Sequence, residues 1–268
     1  MSSQSFGEPF GQPSGQVAGV PTLNFRQRLT WSAHLFKAIF YQYHREFAER
    51  IAPLVPEDGV IADIGAHSGQ FAKLFARLVP KGGVYAFEPG GYALSILHPV
   101  VRLRGLRNVT IVPAGLSDKP GEETLNVPLK KSGTLGFGLA HIGEELSGRD
   151  VVSQRIHLTT LDRFAAEHGL SRLDFVKADI EGWEPYFLRG AREAIAKFRP
   201  SVMIEVSEKQ LAQSGSTPRE IFEIFAPLGY GIFKTFEREG YRLHPVADYD
   251  GLADYLFVPQ EKAGLVTA

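Results

Sequence analysis

The chain has 268 residues, 44% hydrophobic and 22% charged, which excludes wholesale disorder and suits one large α/β domain with a sizeable core. Its 29 Lys and Arg against 30 Asp and Glu leave a net charge of −1, with no global pull toward nucleic acid; Lys130-Lys131 is the longest basic run. The absence of cysteine removes disulfide scaffolds, thiolate metal sites and cysteine nucleophiles.

Residues 1–21 alternate Gly, Pro, Ser and Gln and read as a flexible tail. They hold neither the basic cluster nor the apolar run of a secretory signal, and no stretch of the chain is apolar enough to span a membrane. A soluble cytoplasmic protein is the expectation. From residue 23 to 55, Leu35, Phe36, Ile39, Phe40, Tyr43, Phe47 and Ile51 form one helical apolar stripe. That helix either packs on the core or serves as a lid or dimerisation helix.

From Gly59 onward short apolar strands alternate with helices. Strands are predicted at 60–64, 84–87, 109–112, 173–178 and 201–205, with helices at 69–78, 93–103 and 185–198. A further helix starts at Thr217 as N-cap, with Pro218 in the first turn and Glu220 three residues on. Two late strands, 230–236 and 253–258, pair antiparallel at one edge. The pattern is that of a doubly wound, mostly parallel sheet. Residues 121–157 break the rhythm and read as an inserted hairpin or loop facing substrate.

In such a sheet ligands sit beyond the carboxyl ends of the strands. There the first strand runs into Asp63-Ile64-Gly65-Ala66-His67-Ser68-Gly69, a tight turn opening a helix whose free N–H groups face the crevice. Glu88 closes the second strand, 19 residues after Gly69, where a carboxylate can accept both ribose hydroxyls. The turn lacks Gly-x-Gly-x-x-Gly, and Asp63 would repel a pyrophosphate while suiting an ammonium group. S-adenosylmethionine is therefore favoured over NAD. Asp179 and Glu181 follow the fourth strand and Glu205 closes the fifth. These carboxylates suit removal of a hydroxyl proton, or coordination of Mg²⁺ or Ca²⁺. Lys177 is either an outward-facing strand residue or an ion-pair partner of a nearby carboxylate.

Together with Phe87-Glu88-Pro89, Ala114-Gly115-Leu116-Ser117-Asp118, Thr160-Leu161-Asp162, the block from Asp174 to Glu184, Arg199-Pro200 and Ile204-Glu205-Val206, the glycine turn resembles the FkbM family of S-adenosylmethionine-dependent O-methyltransferases. The likeness runs in order over residues 59–206. It implies a Rossmann-like seven-stranded sheet with the last strand antiparallel, forming a methyltransferase domain over 57–268 behind a helical extension at 22–56. It also implies cofactor contacts from Asp63, Gly65, Ala66, His67, Ser68, Gly69 and Glu88, and adenine contacts from Ser117 and Asp118. Asp179, Glu181 and Glu205 match positions near methyl transfer. Many relatives carry Asn where this chain has His67, which either touches the cofactor, acts as a base or simply holds the turn. The implied acceptor is a hydroxyl of a sugar or natural product, with no nucleic-acid partner and with residues 23–55 available for homo-oligomer contacts. Competing readings are an NAD(P)-dependent reductase, from Tyr230-x-x-x-Lys234, and a non-catalytic cofactor-binding scaffold.

Overall fold

A computed structural model describes residues 25–128, 141–142 and 151–266. The chain enters through helices α1 (Phe25–Phe40) and α2 (Arg45–Ile51), then alternates β1 (Val60–Ile64), α3 (Gln70–Leu78), β2 (Gly83–Phe87), α4 (Gly91–Leu103) and β3 (Val109–Val112). Short β4 (Gly115–Leu116) precedes β5 (Gly121–Pro128), β6 (His141–Ile142) and β7 (Val151–Thr159). After α5 (Leu161–Glu167) come β8 (Phe175–Ala178), α6 (Glu184–Arg189), α7 (Arg192–Phe198) and β9 (Ser201–Val206). The chain closes with α8 (Glu208–Gln213), α9 (Pro218–Phe225), β10 (Tyr230–Thr235), β11 (His244–Val246) and β12 (Ala253–Pro259).

Eight strands form the main sheet, in the order β11-β10-β12-β9-β8-β1-β2-β3. The expected count of seven is corrected by β11, a three-residue edge strand that pairs with β10 through Lys234 and His244. β9, β8, β1, β2 and β3 run parallel, while β12, β10 and β11 are antiparallel. The parallel strands are mainly apolar because helices cover both faces, and their few charged residues, Asp63, Lys177 and Glu205, fall toward the carboxyl ends. Phe164, Phe187, Ile195, Ile221 and Phe225 pack on one face; Phe47, Ile51, Phe75 and Val79 pack on the other.

Strand order reverses between β1 and β8, so the crevice at the carboxyl ends of these two strands is the switch point. Over the neighbouring turn lies a second, four-stranded sheet in which β5 and β7 pair antiparallel from Gly121–Leu158 to Pro128–Val151. Gln154 of β7 accepts the Gly91 N–H at 3.0 Å and so anchors this hairpin at the start of α4. Lys130–Gly133 and most of Gly136–Gly143, part of the segment expected to face substrate, lie outside the described residues, as does the tail at 1–21.

Two expected helices are each two. The 23–55 helix breaks at His44, which takes a left-handed backbone at φ 61°. Its single stripe divides accordingly: Phe47 and Ile51 are buried, whereas Phe36, Phe40 and Tyr43 are exposed. The 185–198 helix breaks at Gly190, where a Cβ would lie 2.0 Å from the Ser117 carbonyl oxygen. Asp162 then caps α7 by accepting the Glu193 and Ala194 N–H groups at 3.2 and 2.7 Å. α9 starts as read, with Glu220 accepting the Thr217 N–H at 3.1 Å.

Candidate functional site

Asp63 of β1 and Lys177 of β8 are register partners on neighbouring parallel strands. The Asp63 carboxylate is fully buried, neither of its oxygens has a hydrogen-bond partner, and Lys177 Nζ stands 4.0 Å away. Burial pushes the Asp63 pKa up to about 6, against the pull of Lys177. Lys177 is equally buried, 3.3 Å from Asp179 and over the Phe71 ring at 4.6 Å, so it is the ion-pair partner rather than an outward-facing residue. Burial works against its charge, but Asp179 and Asp63 outweigh it and hold the lysine above its ordinary value.

Beyond Asp63 the chain turns sharply. Gly65 and Ala66 both donate N–H to the Phe87 carbonyl at 3.0 Å, and Gly69 donates to Ala66 at 2.8 Å. Gly65 has φ 77°, and a Cβ there would lie 2.1 Å from the Asp179 carbonyl oxygen. Gly65→Ala should therefore break the turn, lowering the melting temperature and abolishing ligand binding in the crevice; differential scanning calorimetry with and without ligand checks both. His67 is exposed, with a left-handed backbone at φ 48°, and its N–H donates to Glu88 Oε2 at 2.8 Å. Ser68 is half-buried beside it. Glu88 Oε1 accepts the Gly90 N–H at 2.8 Å, so two backbone amides aim this buried carboxylate, whose pKa burial lifts to about 7.

At the adjacent β4 end, Ser117 is buried and accepts the Trp183 indole N–H at 3.2 Å, while Asp118 is exposed. Trp183 stacks on Tyr186 with centroids 4.1 Å apart.

The structure brings Asp179, Glu181 and Glu205 together. Burial raises the Glu205 pKa, the Asp179 charge raises it further, and a hydrogen bond joins the two carboxyls. Glu181, left-handed at φ 55°, is held by the Gln210 amide; burial and then the Asp179 and Glu205 charges lift it to about 7. Glu184 serves the turn instead, accepting the Ile180 and Gly182 N–H groups at 3.1 and 3.2 Å. Among the described residues no group of three or more His, Asp or Glu side chains has metal-holding geometry, which leaves proton removal as the role these carboxylates are arranged for.

Residues outside the sequence motifs complete the site. Asp254 lies directly opposite Glu205 across β12 and β9, and burial followed by the Glu205 and Asp179 charges lifts it to about 7. His44 arrives from the break between α1 and α2, stacks on Phe71 at 4.7 Å, and hydrogen-bonds the Tyr241 hydroxyl at 2.5 Å. Glu237 is 3.4 Å from the same Nδ1. Burial lowers the His44 pKa despite the Glu237 charge. Five non-glycine residues among those described have positive φ, and four of them, His44, His67, Glu181 and Tyr241, stand at this end of the sheet. The sequence cue for Asp254 is a carboxylate breaking the otherwise apolar Ala253–Val258 run; His44, Glu237 and Tyr241 carry no such cue.

Tyr230 and Lys234 lie along strand β10, with Lys234 paired to Asp250 at 2.9 Å, which removes the helical spacing that a reductase pair needs. Nor is any described helix long and apolar enough to cross a membrane.

The chain is 28% identical over 221 residues to the AMB antimetabolite synthetase AmbE of Pseudomonas aeruginosa, a match covering 68% of this chain but only 10% of AmbE. It is 26% identical over 223 residues to the methyltransferase sdnD of Sordaria araneosa, covering 72% of this chain and 84% of sdnD. To the 2-O-methyltransferase NoeI of Sinorhizobium fredii it is 25% identical over 193 residues, covering 68% and 75%. A crystal structure of a methyltransferase FkbM from Methylobacillus flagellatus superposes with a TM-score of 0.48 at 15% identity, covering 87% of this chain and 59% of that one. Residues 63–243, from the buried carboxylate of β1 to the loop beyond β10, match the methyltransferase FkbM domain. The chain belongs to the FkbM methyltransferase family.

Proposed function

We propose that this protein transfers a methyl group from S-adenosylmethionine to a hydroxyl of a sugar or a glycosylated small molecule. The observation that carries this reading is the pair of buried carboxylates flanking one glycine turn. Asp63, buried and only loosely paired with Lys177 at 4.0 Å, has acceptor capacity for a second cation, and Glu88, aimed by two amides, has it for neighbouring hydroxyls. An amino-acid ammonium and a ribose meet those demands; a pyrophosphate beside Asp63 meets neither. Ser117 and Asp118 then lie where the adenine would rest.

When bound, S-adenosylmethionine supplies an electrophilic methyl on a positively charged sulfur. Asp179 and Glu205 hold the acceptor hydroxyl and take its proton as the O–C bond forms and the S–C bond breaks, the sulfur keeping the electron pair. Lys177 fixes Asp179 for that task. The adjoining carboxylates of Glu181 and Asp254 add acceptors for further hydroxyls, which favours a polyol substrate. NoeI, by its name a 2-O-methyltransferase, supports oxygen as the acceptor atom.

Calorimetric titration with S-adenosylmethionine, NADH and NADPH tests the reading. S-adenosylmethionine alone should bind, and Glu88→Gln should weaken it about 10- to 100-fold by removing a charged hydrogen-bond acceptor. Binding of a nicotinamide cofactor would sink the proposal.

A further inference from the structure

Among the described residues, nine large apolar side chains are exposed, and six of them, Phe25, Leu29, Phe36, Phe40, Tyr41 and Tyr43, fall within residues 25–43. At 3.6 residues per turn Phe25, Leu29, Phe36 and Phe40 share one face of α1. The Phe36 and Phe40 rings lie 4.7 Å apart on it. A concentration of this kind on a globular surface marks an interaction site.

The opposite face of α1 is already covered. Trp31, Leu35, Ala38 and Ile39 pack against Tyr92, Ile96 and Val100 of α4, and the Trp31 indole donates to Ser95 Oγ at 2.9 Å. At the end of the helix the buried Lys73 ammonium donates to the carbonyls of Ala38 and Tyr41 at 2.5 and 2.7 Å. The helix is pinned along one face and at its C-terminal end, which keeps its aromatic stripe turned outward.

Charge then selects the partner. In a chain of net charge −1, residues 25–45 carry four basic side chains, Arg26, Arg28, Lys37 and Arg45, and no acidic one. All four are exposed, and Arg26 and Lys37 lie together along one edge of the aromatic stripe. A second copy docked by a two-fold axis would set this basic patch against itself. An anionic lipid surface satisfies both the rings and the cations. Sixteen residues are too short to span a bilayer but long enough to lie in its interface. α1 also lies outside residues 63–243, so this face is an addition to the family domain.

We propose that α1 docks this protein on anionic membranes, its phenylalanines at the acyl boundary and Arg26 and Lys37 on the headgroups. The full chain is floated with vesicles of phosphatidylcholine alone or mixed with phosphatidylglycerol. It should float with the mixed vesicles only, and less as salt rises. Phe36→Ser/Phe40→Ser and Arg26→Glu/Lys37→Glu should each weaken flotation about tenfold or more with unchanged melting temperature. No flotation of the unaltered chain, or flotation indifferent to both double substitutions, overturns the proposal. A solution dimer that Phe36→Ser/Phe40→Ser dissociates, without flotation, overturns it in favour of a second copy. None of these readouts depends on methyl transfer.

Discussion

Asp179→Asn should lower turnover about 10²- to 10⁴-fold while leaving S-adenosylmethionine affinity nearly unchanged. The two effects separate because the Asp179 side chain faces Lys177 and Glu205, whereas the cofactor contacts proposed above belong to the turn and to Glu88. The pH profile carries a second signature. In the unaltered protein kcat/KM should climb as pH rises through about 7, where Glu181 and Asp254 shed their protons, with Glu205 also held above its ordinary range by burial and the Asp179 charge. The Asp179 charge helps hold all three of these groups up, so its removal should move the acid limb of the variant's residual activity to lower pH. A variant that is merely misfolded would lose rate without moving that limb. Steady-state rates across the pH range, with cofactor titrations beside them, check both parts. Unchanged turnover would take Asp179 out of the mechanism.

Lys177→Met carries the largest expected stability loss, about 3–5 kcal/mol at pH 8. The lysine is buried and opposes a carboxylate with no hydrogen bond of its own, so its removal strands Asp63 as a bare charge in an apolar sheet. The loss should shrink below pH 6. Asp63 titrates near 6 when the lysine is present and higher when it is absent. Below about 6 it is protonated in both folded proteins and strands no charge; above that, only the unaltered protein offers the ion a partner. Urea unfolding at pH 5 and pH 8 measures the difference. An equal loss at both values would mean that packing against Phe71, rather than charge, is what Lys177 contributes.

The central strands were legible because a parallel strand covered on both faces is apolar along its length and ends in turn residues. β1, β2, β3 and β9 run where Val60–Ile64, Val84–Phe87, Val109–Val112 and Ser201–Glu205 predict them, within a residue at each end. What escaped was set by distant contacts. A glycine stands at the helix break because the Ser117 carbonyl occupies the space a side chain at 190 would need. His44 breaks the earlier one at the point where its ring meets Phe71 and Tyr241. β11 is only His244-Pro245-Val246, with the histidine and the proline exposed, which reads locally as loop. The other carboxylates of the site were readable because they stand at the ends of parallel strands; Asp254 shows only as a charge in an apolar run, and its place opposite Glu205 is set by antiparallel pairing with β9. His44 and Tyr241 are 197 residues apart, and no local pattern announces their hydrogen bond.

That hydrogen bond has a consequence for folding. The candidate site is assembled from an early residue, His44, the middle strands, and a late one, Asp254 of β12. Loop-closure entropy must be overcome across nearly the whole chain before these groups meet. The strand that brings Asp254 opposite Glu205 is also the one that joins β9 to β10, so closing the site and completing the sheet are one event. Because Tyr255, Leu256, Phe257 and Val258 of β12 are fully buried, a substitution that loosens this strand should cost stability and disturb the carboxylate cluster together.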